Sequence, residues 1–299
     1  MGIAAKIDDY GYVTAVIPAT KSGLKRICFI SHVDTSPAVS GRNVNPQFVN
    51  YNGGDIILKN GIKISLEENP YMSKYIGKEL IVTDGETLLG ADDKAGVAEI
   101  MSAAEILAND KSIAHGDVLI AFTPDEEIGR GTDMFDVKAF GADFGYTVDG
   151  GELGGIEYEN FNAASATLTV NGVSIHPGSA KNVMKNAIDL FAEFHSLLPV
   201  WERPAHTENY EGFYMADEVT GGVEKLVAKY IIRDHDRGKF ADKKRYFAKI
   251  SDFLNDKYGN GTFVADIRDS YYNMSEIISE NYHLIDNAVK AMKDAGVEP

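Results

Sequence analysis

The sequence predicts an α/β protein carrying a second, α+β domain, and three observations lead there. Apolar, strand-like runs alternate with helical patterns over residues 1–159. From Asn160 the order of elements changes to strand, helix, strand, strand, helix, strand. At 299 residues the chain is long enough for two such cores.

In the first part, YVTAVIPA and KRICFISHV read as strands split by the turn-like TKSG. Residues 38–85 are rich in Gly, Asn and Pro and are expected to form loops and short strands. GVAEIMSAAEILAND reads as a helix, because Val97, Ile100, Met101, Ala104 and Leu107 recur at helical spacing. DVLIAFTP reads as a buried strand and FGYTVDGG as another that ends in a glycine turn. Strand, helix and strand in this order suggest a doubly wound sheet.

In the second part, ASATLTVNG alternates as a half-buried strand and VMKNAIDLFAEFHSLL is an amphipathic helix. EGFYMADEVTGG and KLVAKYIIRDHD are strands joined by a Gly-Gly turn. KKRYFAKISDFLNDKYG is a second helix and GTFVADIRDSYYN a closing strand. This is the split, ferredoxin-like plan, placed at 160–270 as an insertion. SEIISENYHLIDNAVKAMKDAG, within 271–299, is read as one long helix returning the chain to the first domain.

Twenty-nine basic against 45 acidic residues give a net charge of −16. That argues against nucleic acid and anionic membranes as partners, since both need a basic surface. It suits a protein that gathers carboxylates around cations. Cys28 is the single cysteine, which excludes an intrachain disulfide and a thiolate metal cluster. No signal-peptide pattern, myristoylation pattern or bilayer-length apolar stretch is present, so the expected location is the cytoplasm.

Four stretches put ligand-capable residues where strands end. In SHVDTSP, His32 and Asp34 lie two apart, so alternation turns them to one side, imidazole as ligand and carboxylate as its support. A strand-end histidine with a capping aspartate is the plainer alternative. In LLGADDKAGVAEIM, Asp92 and Asp93 precede a helix, and an N-cap explains one of them. In TPDEE, the adjacent Glu126 and Glu127 point in different directions, so one can ligate a metal while the other faces a water as general base. A solvated acidic turn is the alternative. In YTVDGGELGG, Asp149 ends an apolar strand, which as a lone motif is commonly only a turn. Together they form one histidine and several carboxylates at the carboxyl ends of strands, where open α/β sheets place ligands. Such a cluster is uncomfortable without divalent cations, and imidazole with carboxylate suits zinc, with cobalt or manganese also fitting.

These motifs, with VDGGELGGIEYENFNAA and NGVSIHPGSAKNVMKNA, resemble in order and spacing the peptidase T family of tripeptide aminopeptidases, among the cocatalytic dinuclear zinc peptidases. The resemblance runs through essentially the whole chain. It implies a mixed-sheet catalytic domain with a ferredoxin-like lid. It implies two zinc ions per full-length subunit bridged by Asp92, with His32 and Asp149 at one ion and Glu127 at the other. Glu126 would be the general base and Asp34 the support of His32. His176, in SIHPG, would help stabilise the oxyanion, and Arg233, in IIRDHD, would hold the tripeptide's terminal carboxylate. As plain structure, His176 would be a turn residue before Pro177 and Arg233 a strand-end partner of Asp234 or Asp236. The resemblance also implies a cis Asp92–Asp93 peptide. A C-terminal histidine and a Gly-Gly-Thr-Asp stretch of the family find no counterpart here. A piece of a longer protein, with the second zinc site incomplete, is therefore expected. A fragment binding at most one metal, and a related dipeptidase or acyl-amino-acid hydrolase, are the competing readings.

Overall fold

Val118–Thr123 is almost continuously apolar and buried, which marks it as the centre of a sheet rather than an edge. The computed structural model describes residues 1–299, and in it this strand is β8. The chain divides into two compact units, Met1–Glu152 and Leu153–Pro299.

The strands of the first unit are β1 (Ala5–Ile7), β2 (Val13–Ile17), β3 (Ile27–His32), β4 (Pro46–Tyr51), β5 (Ile56–Ile57), β6 (Lys63–Ile64), β7 (Lys78–Thr83), β8 and β9 (Phe144–Thr147). Its helices are α1 (Ala91–Asn109) and the short α2 (Val137–Phe140). The main sheet runs β1-β2-β8-β3-β9 and is mixed: β2 meets β8 antiparallel, while β8, β3 and β9 are mutually parallel. In that register His32 lies opposite Thr123 and Ile30 opposite Thr147, so three strands end together on one edge. The buried Ile100 and Ala104 of α1 pack on Ile17, Val118 and Ile120. Residues 38–85, expected as loops and short strands, form the β4–β7 ribbon and the β5–β6 pair over a small separate core of Tyr51, Ile56 and Met72.

The second unit holds β10 (Asn162–Asn171), α3 (Ala187–Leu197), β11 (Phe213–Gly221), β12 (Lys225–Asp234), α4 (Arg237–Tyr258), β13 (Phe263–Tyr271), α5 (Ser275–Glu280) and α6 (His283–Asp294). Its sheet is antiparallel in the order β11-β12-β10-β13, the split ferredoxin-like arrangement. Inward-facing Leu168, Val170 and Ile232 meet Phe194 of α3 and Phe247 and Leu254 of α4 in one contiguous core.

Three element boundaries differ from the sequence reading. The helix expected from residue 183 starts at Ala187, because Lys185 exchanges backbone hydrogen bonds with Val173 and Asn186 accepts from the Ile188 amide at 3.0 Å as the cap. Helix α4 begins earlier than the KKRY reading, where the Asp236 side chain accepts from the Lys239 amide at 2.7 Å. The single return helix is two helices, α5 and α6, parted where Asn281 leaves helical geometry and its side-chain amide donates to Ile277 O at 2.9 Å. No helix is long and apolar enough to cross a membrane.

Candidate metal centre

The common edge of β3, β8 and β9 gathers the polar residues of the first unit. His32 closes β3 with its ring buried, 2% exposed. Its Nδ1 lies 3.1 Å from Asp34 O and 3.2 Å from Asp34 Oδ1. Its Nε2 lies 2.7 Å from Asp92 Oδ1 and 3.8 Å from both Glu126 Oε2 and Asp149 Oδ1. An imidazole nitrogen and a carboxylate oxygen this close need a positive charge between them, either a proton or a metal ion. Burial by itself lowers the His32 pKa, but the contact with Asp92 and the charges of Asp149, Asp34 and Glu126 outweigh it and leave it raised.

The run FTPDEEIGRG turns immediately after β8. Asp125 takes the left-handed conformation, φ 60°, and starts a single tight turn over Glu126–Ile128 that closes when Gly129 N donates to Glu126 O at 2.7 Å. Asp34 anchors that turn: Oδ1 accepts from the Glu126 amide at 3.1 Å and Oδ2 from the Glu127 amide at 3.0 Å. Burial works against the Asp34 charge, yet these two amides prevail and lower its pKa. One carboxylate therefore holds the imidazole and aims both glutamates.

The start of α1 divides the labour of two aspartates. The Asp92–Asp93 peptide is cis, and both residues depart from helical geometry. Asp92 is exposed and faces His32. Asp93 is buried, and its Oδ1 accepts from the Gly96 amide at 2.9 Å in the manner of an N-cap. The Asp149 carboxyl is pushed up to about 6, first by burial and then by the charges of Asp93 and Asp92.

Two sets of ligand atoms lie within 4.8 Å of one another, His32 with Asp93 and Asp149, and His32 with Asp92 and Glu127. One imidazole and several carboxylates suit zinc or a similar divalent ion. Burial of Asp149 and the proximity of the other carboxylates both disfavour its charge, and a divalent cation would offset both, so the residues fit such an ion.

His176 and Arg233 belong to the second unit. His176 is exposed, and its Nδ1 accepts from the Gly178 amide at 3.1 Å ahead of the Pro177–Ser179 turn. Arg233 is half-buried on β12, where its Nη1 donates to Ala164 O at 3.3 Å and Ile232 O at 3.2 Å and its guanidinium lies 5.4 Å from the Tyr271 ring centre. Its neighbours are thus carbonyls and an aromatic face rather than Asp234 or Asp236. Two features escaped the sequence reading, the grip of Asp34 on the glutamate amides and the contacts of Asp93 beyond a cap. Both join residues far apart in the chain, so no local spacing announces them; the Asp-x-x-Gly spacing of Asp93 and Gly96 signals the cap alone.

A mixed sheet whose parallel strands end in a histidine and carboxylate cluster, together with a ferredoxin-like unit, has the architecture of a metallopeptidase of the M20 type. A model described as the peptidase dimerisation domain matches residues 158–262. Peptidase T of Caldanaerobacter subterraneus subsp. tengcongensis is 53% identical over 298 residues, which cover 98% of this chain and 73% of that protein. Among solved structures, aminopeptidase PepT from Bacillus cereus superposes with a TM-score of 0.77 at 23% identity, covering 100% of this chain and 74% of its own. The YXEP protein of Bacillus subtilis, described as a dinuclear metal-binding peptidase of the M20 family, gives 0.52 at 15% identity, covering 89% and 63%. The chain belongs to the peptidase T family.

Proposed function

We propose that this chain is a tripeptide aminopeptidase that releases the N-terminal residue by metal-assisted hydrolysis in the cytoplasm. The observation that carries the proposal is the convergence of Asp92, Glu126 and Asp149 on His32 Nε2 at the end of a parallel sheet. By the family resemblance, His32, Asp92 and Asp149 would hold one zinc ion, and Asp92 and Glu127 would serve a second. Bound ions supply Lewis-acid polarisation of the scissile carbonyl and make water acidic enough to attack near neutral pH.

The protein's own residues do the rest. Asp34 engages Nδ1 of His32 and so leaves Nε2 to face the ligand cluster. Glu126, exposed and held by its amide to Asp34, takes a proton from the attacking water and returns it to the leaving amine. For His176 and Arg233 the roles are those implied by family resemblance, oxyanion stabilisation and recognition of the terminal carboxylate.

The test compares hydrolysis of tripeptides, dipeptides and acylated amino acids by the metal-loaded protein, together with zinc content by elemental analysis. Preference for tripeptides, lost on chelation and restored by zinc, is the expected result. Preference for either other class would replace the specificity, and absence of tightly held metal would remove the mechanism.

A further inference from the structure

Asp93 lies at the centre of the ligand-bearing segments yet has no part in the chemistry assigned above. Its side chain is 1% exposed. Oδ2 accepts from the Ser31 hydroxyl and from the His32 amide at 3.2 Å, while Oδ1 accepts from the Gly96 amide at 2.9 Å. Both lone pairs of Oδ2 and one of Oδ1 are therefore committed to protein donors. Asp92 differs: it is exposed, and its Oδ1 faces His32 Nε2.

Each donor belongs to, or borders, a segment that carries a ligand. The His32 amide fixes the end of β3, and Asp93 is joined directly to Asp92. Gly96 seats α1 against the backbone just ahead of Asp149: a Cβ there would lie 2.0 Å from Val148 O, 2.5 Å from Asp93 Oδ1 and 2.8 Å from Ser31 Oγ. Capping of α1 requires only the Gly96 bond, and serine or asparagine would serve equally well. The bonds to Ser31 and His32 exceed that need.

We propose that Asp93, braced by Ser31 and Gly96, is a positioning residue that sets the spacing of His32, Asp92 and Asp149, and is not itself a metal ligand. The inference rests on the metal-dependent reading above. It contrasts with the alternative in which Asp93 joins His32 and Asp149 as a ligand, which proximity alone would allow.

The two assignments diverge in Ser31→Ala, which removes the hydroxyl donor to Oδ2, leaving the His32 amide in place, without touching a carboxylate. Calorimetric titration with zinc, and visible absorption with cobalt(II), are compared for the wild-type chain, Ser31→Ala and Asp93→Asn. Loss of such an outer support weakens metal binding by about 10- to 100-fold. Positioning predicts a loss within that range for Asp93→Asn and a smaller one for Ser31→Ala. Stoichiometry is then unchanged, the cobalt bands of Ser31→Ala are altered, and its metal-free thermal midpoint stays near wild type. Unchanged or tighter binding in Ser31→Ala overturns the proposal, as does weakening that merely tracks loss of the folded metal-free protein. Should Asp93→Asn fail to fold, Ser31→Ala decides alone. If the wild-type chain takes up neither ion, the proposed function fails and this inference falls with it. Uptake by wild type with equal affinity in Ser31→Ala removes the inference alone.

Discussion

The two units of this chain are held together by different physics. The second is organised around one apolar core, where the Phe194 and Phe247 rings meet edge to face at 4.9 Å and Tyr230 stacks a further edge contact on Phe247 at 5.1 Å. The first divides its apolar residues between the sheet–helix core and the smaller core of Tyr51, Ile56 and Met72. At its strand ends, buried or half-buried carboxylates bind backbone amides instead: Asp34 those of Glu126 and Glu127, Asp93 those of His32 and Gly96. The apolar driving force is non-directional, whereas an amide-to-carboxylate bond has a preferred length and angle and so aims the groups it joins. Placing ligands demands the second kind of order, and the difference shows where this chain spends its precision.

The largest effect expected is chemical. Glu126→Gln should lower turnover by about 10²- to 10⁴-fold while zinc content and thermal midpoint persist. Loss of metal in that variant would exchange the assignments of Glu126 and Glu127. Next, Phe194→Ala in the second unit should cost about 3–5 kcal/mol in denaturant unfolding, with the metal titration of the first unit unchanged. If zinc affinity fell in step, the separation of the two regions would be broken. Third, chelation should destabilise the first unit selectively, by about 2.7 kcal/mol when the free ion had stood at a hundred times its dissociation constant. Amide hydrogen exchange at the edge of β3, β8 and β9, compared with α3 and α4, reads this directly.

The smallest effect is a pH slope in the second unit. Burial, and then the charge of Arg203, lower the pKa of His195 below its ordinary 6.5. As pH falls through 6.5 the unfolded chain takes up a proton that the folded chain still refuses, so this contribution is fully present above 6.5 and is lost on acidification. His195→Gln should flatten that part of the stability profile, and the difference between the two profiles over pH 7.5 to 5 measures it. A profile of unchanged slope would place the sensitivity elsewhere.

Much of this was legible from the residues. Alternation and helical periodicity located the strands and helices, since burial of one face leaves a regular imprint. His32, Asp34, Asp92, Glu126, Glu127 and Asp149 are readable as a group because parallel strands bring their carboxyl ends to one edge. The break at Asn281 was not readable, because the pattern of apolar residues continues across it while the backbone does not. Nor was the function of Asp93: its partners Ser31 and His32 lie 62 and 61 residues away, and sequence periodicity carries no record of such a crossing.

The bonds from Asp34 to the amides of Glu126 and Glu127 span 92 and 93 residues. During synthesis, then, His32 emerges long before the turn that completes its surroundings, and contacts so distant in the chain form late because loop closure must come first. A nascent chain that has reached β3 but not β9 has no assembled site. The cluster of His32, Asp34, Glu126 and Asp149 is thereby unassembled until the first unit has closed its sheet, an order that follows from connectivity alone.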